Sequence, residues 1–130
     1  MSTAVDVVRL SLHVGAATVW VGGQVVVAAL VGPLRALGPE AGRVMANAFA
    51  RVAWPAFGVL VLTGGWNIAA AHHQHPAALG VKMLLVLLSG AAVLLHTRAG
   101  TPRGRGVWGG LGLLASLGAM VAGVTLTELG

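Results

Sequence analysis

Four stretches without a formal charge divide the chain: residues 10–34, 52–81, 83–97 and 106–127. A helix rises about 1.5 Å per residue, so roughly 20 apolar residues cross the hydrocarbon of a bilayer. The second stretch is long enough to hold the end of one span and the start of another, and His72-His73-Gln74-His75-Pro76 interrupts it with a polar turn that ends in a helix breaker. The pattern predicts four helices at about 5–32, 44–71, 77–97 and 106–128. Breaks fall from Gly32-Pro33 to Gly38-Pro39 and across Gly100-Thr101-Pro102-Arg103-Gly104-Arg105-Gly106. Pro55 lies inside the second helix, where its missing N–H and its ring are expected to kink the chain. The predicted fold class is all-α, a polytopic membrane four-helix bundle forming a single domain over 1–130.

Composition removes the soluble alternative. The chain is 57% hydrophobic and 8% charged, with a mean hydropathy of +0.89, against roughly 25% charge in soluble domains. The lipid bilayer is therefore the expected partner. No cysteine is present, which excludes disulfides, thiolate zinc sites, iron–sulfur clusters and cysteine nucleophiles. Eight Lys and Arg against three Asp and Glu give a net charge of +5. These cations are scattered singly between uncharged runs, not gathered into a patch, so no nucleic-acid partner is expected.

The charge excess reads as topology. Arg35, Arg43 and Arg51 surround the first turn, Arg98, Arg103 and Arg105 the third, and the middle turn has neither Lys nor Arg. The positive-inside rule puts the two arginine turns in the cytoplasm, with both termini and the His72–His75 turn outside. The first apolar run begins with Asp6 and Arg9 and is longer than a signal-peptide core, so the first helix is expected to be retained.

Small residues mark the packing seams. Ala115, Ala119 and Gly123 recur every four residues on the last helix, and Gly106 and Gly110 repeat the spacing near its start. Such a stripe serves packing within the bundle, or a homodimer or larger complex.

Polar groups inside a membrane are costly and are functional candidates by default. His13, Ala17, Trp20 and Gln24 fall on one face of the first helix, with Arg9 one turn outward from His13. Lys82, Ser89 and His96 form a stripe on the third. A b-type haem wants a neutral imidazole on iron, apolar walls, and cations near the interface for its propionates. His13 fits the first requirement, Gly15, Ala16 and Ala17 leave room beside it, and Arg9 and Lys82 supply the cations. Second-ligand candidates are Met83, Met120 and, if the outer turn folds back, His72, His73 or His75. The bland reading of His13 is a core histidine hydrogen-bonded across the bundle, and that of Arg9 is snorkelling to the interface. The His72-His73-Gln74-His75 cluster has spacing suited to Cu(II), Zn(II) or Ni(II). A copper(I) path would favour soft ligands, but cysteine is absent and the methionines are dispersed.

The segment Leu12-His13-Val14-Gly15-Ala16-Ala17-Thr18-Val19-Trp20-Val21-Gly22-Gly23 resembles the first helix of the copper resistance D (CopD) group and of the related HemJ-type protoporphyrinogen oxidases. Arg51, Pro55-Ala56, Leu62-Thr63-Gly64 and Asn67 are similar to their second helix, and Lys82 ahead of Met-Leu-Leu-Val-Leu-Leu-Ser to their third. The likeness covers roughly residues 9–97. The HemJ-type branch implies haem b held by His13, with Lys82 at the third-helix lysine, and oxidation of protoporphyrinogen IX. The CopD-type branch implies copper uptake or tolerance. One departure is clear: the HemJ-type third-helix histidine falls near Val93 here, whereas this chain has His96.

Together these readings give an integral membrane protein of a prokaryotic cytoplasmic membrane. It is expected to bind haem b through His13, with Arg9, Lys82 and Trp20 in the cofactor site, for electron transfer or porphyrin redox chemistry. Copper handling and a cofactor-free scaffold subunit are the alternatives.

Overall fold

The computed structural model describes residues 3–70 and 76–129, and among these every regular element is helical. The elements are α1 (Ala4–Ala17), a π-helical turn (Thr18–Gly22), α2 (Gly23–Arg35), α3 (Pro39–Ala70), α4 (Pro76–Arg98) and α5 (Pro102–Leu129). Four segments are long and apolar enough to cross a bilayer: Ala4–Arg35, Pro39–Ala69, Leu79–Arg98 and Arg103–Thr125.

The helices begin earlier than the breaks in the sequence suggested. Pro39, Pro76 and Pro102 each open a helix instead of standing outside it. The first turn of a helix has no use for its N–H groups, and a proline φ near −65° already suits it, so proline at this position starts helices. Pro33 and Pro55 lie within α2 and α3, which continue through them.

The chain divides into two compact units, Met1–His72 and His73–Gly130. In the first, a capping box starts α1: the Asp6 N–H donates to Thr3 Oγ1 at 3.2 Å and the Thr3 N–H donates to Asp6 Oδ2 at 3.1 Å. α1, the π turn and α2 run on as one apolar rod, and α3 returns antiparallel along it. Gly38 makes the reversal possible, since its φ of +102° is a conformation that L side chains rarely adopt. At the middle of the interface, Trp20 is 1% exposed. Its ring centroid lies 4.5 Å from that of Phe57 and 5.4 Å from that of Trp54. Further along, α2 and α3 close until a Cβ on Gly23 would stand 2.5 Å from the Phe49 ring.

Ala16, Trp20 and Gln24 are buried, while His13 and Ala17 are half-buried. Ala16, Trp20 and Gln24 lie four residues apart, and Ala17 stands at the edge of the same face. Side chains take up carbonyls at both ends of the π turn: the Thr18 hydroxyl donates to the Val14 carbonyl at 2.8 Å, and the Gln24 amide donates to the Trp20 carbonyl at 3.1 Å.

The second unit is an antiparallel hairpin of α4 and α5. Leu85 faces Gly118, Lys82 faces Gly123 and His96 faces Gly109. Ser89 and Ser116 are each 1% exposed, and the Ser89 hydroxyl is satisfied by the Val86 carbonyl at 2.6 Å. The small-residue stripe contributes to this pairing. Ala119 is buried and Gly123 lies against the Lys82 side chain, whereas Ala115 is half-buried.

Candidate functional site

The polar residues of the first unit collect along one side of the α1–α3 interface. On α1, Asp6, Arg9 and His13 succeed one another at helical spacing; on α3, Thr63 and Asn67 are one turn apart, with Trp66 beside them. Antiparallel packing sets His13 level with Thr63 and Arg9 level with Trp66.

His13 Nδ1 and Thr63 Oγ1 are 2.8 Å apart. The Thr63 hydroxyl has a single proton, and the Val59 carbonyl takes it at 2.7 Å, with the Leu60 carbonyl a second acceptor at 3.2 Å. With that proton on a backbone carbonyl, Thr63 Oγ1 accepts from His13 Nδ1, the arrangement of the Nδ1–H tautomer. In the neutral ring the lone pair then resides on Nε2, which is the tautomer that binds a metal. Gly64 completes the seat, since even a Cβ there would only reach van der Waals distance, 3.6 Å, from His13 Cε1.

One turn nearer the N-terminus, Arg9 Nη2 is 3.1 Å from Asp6 Oδ1. The guanidinium carbon is 5.8 Å from the Trp66 ring centroid, within cation–π range. The pair is largely covered, with side-chain exposures of 13% for Arg9 and 28% for Asp6. Even so, Arg9 Nε and Asn67 Oδ1 are buried without a hydrogen-bond partner among the described residues. Buried polar atoms are normally paired, and two spare ones at the same level of one interface mark hydrogen-bonding capacity beyond what the fold uses. A shallow apolar groove lined by Ala4, Val5, Val8 and Trp66 adjoins them.

The structure thus brings His13 and Arg9 together with Thr63 and Asn67, which the sequence offered only through the second-helix resemblance, and adds Trp66 and Asp6. Trp20 is enclosed by aromatic neighbours in the same unit. Lys82, Met83 and Met120 belong to the second unit. There Lys82 and Met83 are half-buried on α4, and Met120 is 49% exposed on α5. His72, His73 and His75 lie outside the described residues. Among the described residues no group of three or more His, Asp or Glu side chains could hold a metal ion. The sequence resemblance included Thr63 but gave it no role. Its signal was a pair of polar residues, Thr63 and Asn67, four apart in an otherwise apolar run.

An imidazole and, one turn away, an arginine are group types that can serve an iron and a carboxylate respectively. Comparison with known protein families, with characterised proteins and with solved structures finds no match to this chain.

Proposed function

We propose that this chain is a membrane-spanning protein that carries haem b on His13, for electron transfer or porphyrin redox chemistry. The observation that supports this reading best is the directional chain from His13 Nδ1 through the Thr63 hydroxyl to the Val59 carbonyl. Orienting a ligating histidine through its other nitrogen is the usual means of fixing tautomer and ring angle. In this reading His13 Nε2 is the iron ligand and Arg9 offers its spare donor and charge to a propionate. When bound, the haem supplies a one-electron couple; oxidation of a porphyrinogen is the enzymatic form of the proposal.

The membrane reading rests on a separate observation. Val14, Leu62, Leu88, Leu114 and Val121 are among many large apolar side chains left exposed, spread over all four long helices. Surfaces of that extent require lipid or protein cover. Both termini and the His72–His75 turn are placed outside, by the arginine asymmetry of the turns.

The test is an absorption spectrum of the detergent-purified protein with and without dithionite. A Soret band that shifts on reduction and is lost in His13→Ala supports the proposal. Haem retained in His13→Ala overturns the site. A colourless protein that holds copper, lost when His72, His73 and His75 are replaced together, supports copper handling instead; a colourless, metal-free protein bound to stoichiometric partners supports a scaffold.

A further inference from the structure

The turn between α4 and α5 is built more firmly than a connection requires. His96 Nδ1 donates to the Arg105 carbonyl at 2.6 Å, tying the last turn of α4 to the first turn of α5. Thr101 caps α5: the Gly104 N–H donates to its hydroxyl at 3.0 Å, and the Arg105 N–H donates to its carbonyl at 3.0 Å. Gly109 lies against the His96 ring, 3.1 Å from Nδ1 to where a Cβ would stand, so any larger residue there would press on the ring.

This latch holds three arginines around one short turn. Arg98 ends α4, and Arg103 and Arg105 stand in the opening of α5; all three side chains are exposed. None forms an ion pair among the described residues. No acidic residue occurs between Lys82 and Thr127. The basic turn of the first unit differs, because Arg43 there has Glu40 at 3.4 Å. The second unit therefore presents three guanidinium forks with no counter-charge of their own. Planar forks of this kind match the oxygens of a phosphate.

We propose that Arg98, Arg103 and Arg105 form a binding site for an anionic phosphate, supplied by the headgroup of an anionic phospholipid. The source follows from position. The turn joins Leu79–Arg98 to Arg103–Thr125, two segments long enough to span a bilayer, so the arginines stand where an apolar span ends and headgroups begin. This rests on the membrane part of the proposed function and is independent of haem.

The full chain is reconstituted in nanodiscs of phosphatidylcholine with a minority of phosphatidylglycerol, re-extracted in mild detergent, and its retained lipid measured by mass spectrometry. Retention enriched in phosphatidylglycerol is expected, falling about fivefold for each arginine replaced by glutamine. The combined variant Arg98→Lys, Arg103→Lys, Arg105→Lys keeps the charge that orients the turn and removes the forks, so it is expected to keep the share of the enrichment that charge alone supplies and to lose the share that bidentate pairing adds. Enrichment unchanged in the lysine variant overturns the assignment to the guanidinium groups. Displacement of the lipid by millimolar inorganic phosphate overturns the lipid source in favour of soluble phosphate. A chain that fails to enter nanodiscs overturns the membrane reading itself, which a retained Soret band would leave untouched.

Discussion

His13 and Thr63 stand fifty residues apart in sequence and 2.8 Å apart in space, so the Thr63 hydroxyl holds the imidazole by its Nδ1. Thr63→Val keeps the shape of the side chain and removes the acceptor, so the ring loses both its tautomeric bias and its orientation. Haem affinity is expected to fall about 10- to 100-fold, the usual cost of deleting such a supporting contact. Thr63→Ser should restore most of it. Haem titration followed at the Soret band makes the measurement, and equal affinity in the valine variant would show that Thr63 does not support the ligand.

Asp6 and Arg9 form a pair whose two members should act on a nearby haem with opposite sign. Arg9→Gln removes a positive charge and favours the ferric state, lowering the midpoint potential; Asp6→Asn removes a negative charge and raises it. A shift of up to about 60 mV, a tenfold change in a one-electron equilibrium, is expected in each direction. Redox titration of the purified proteins gives the signs, and shifts of the same sign would place the haem away from this pair.

Gly23 and Phe49 make the tightest approach between α2 and α3. A methyl group on Gly23 would meet the ring at 2.5 Å, whereas the same group on Gly15 or Gly22 meets nothing within 4 Å. Gly23→Ala is therefore expected to destabilise the protein by about 1–3 kcal/mol through overpacking. Gly15→Ala and Gly22→Ala should be tolerated. Thermal unfolding in detergent compares the three, and Phe49→Leu in the Gly23→Ala background should recover part of the loss.

Trp20 fills the centre of the same interface against Trp54 and Phe57. Trp20→Ala should cost about 3–5 kcal/mol, as large aromatic truncations in cores do. Trp20→Phe should cost far less and leave the Soret band in place. A spectrum altered by the phenylalanine variant, with stability preserved, would instead put Trp20 in contact with the cofactor.

The absence of cysteine makes topology directly measurable. A single cysteine at position 74 should react with an impermeant maleimide from outside intact cells, and one at position 103 only after the membrane is opened. Reversed labelling would turn the His13 end of the first helix toward the cytoplasm.

By itself the sequence determined that the protein is helical, how many long apolar helices it has, and which residues open its polar faces. These properties are local. Charge-free run length decides whether a segment can span a bilayer, and helical spacing places His13 on one stripe with Arg9 whatever they pack against. Helix ends were less legible, because Pro39 and Pro102 read as breaks until a chain is seen to start a helix on them.

Tertiary structure decided the rest. That Ala16 is buried and Ala17 only half-buried depends on how α3 packs against this face, since both lie within one helical step of the Trp20 stripe. That Thr63 and Asn67 share an interface with His13 and Arg9 depends on the register of α3 against α1, which is set by Trp20 against Phe57 and by Gly23 against Phe49. The Thr63 hydroxyl that meets His13 Nδ1 is itself held by the Val59 carbonyl of its own helix. A hydrogen bond between residues so distant in the chain has no local signature, since it forms only where packing of unrelated apolar side chains happens to bring donor and acceptor to the same level.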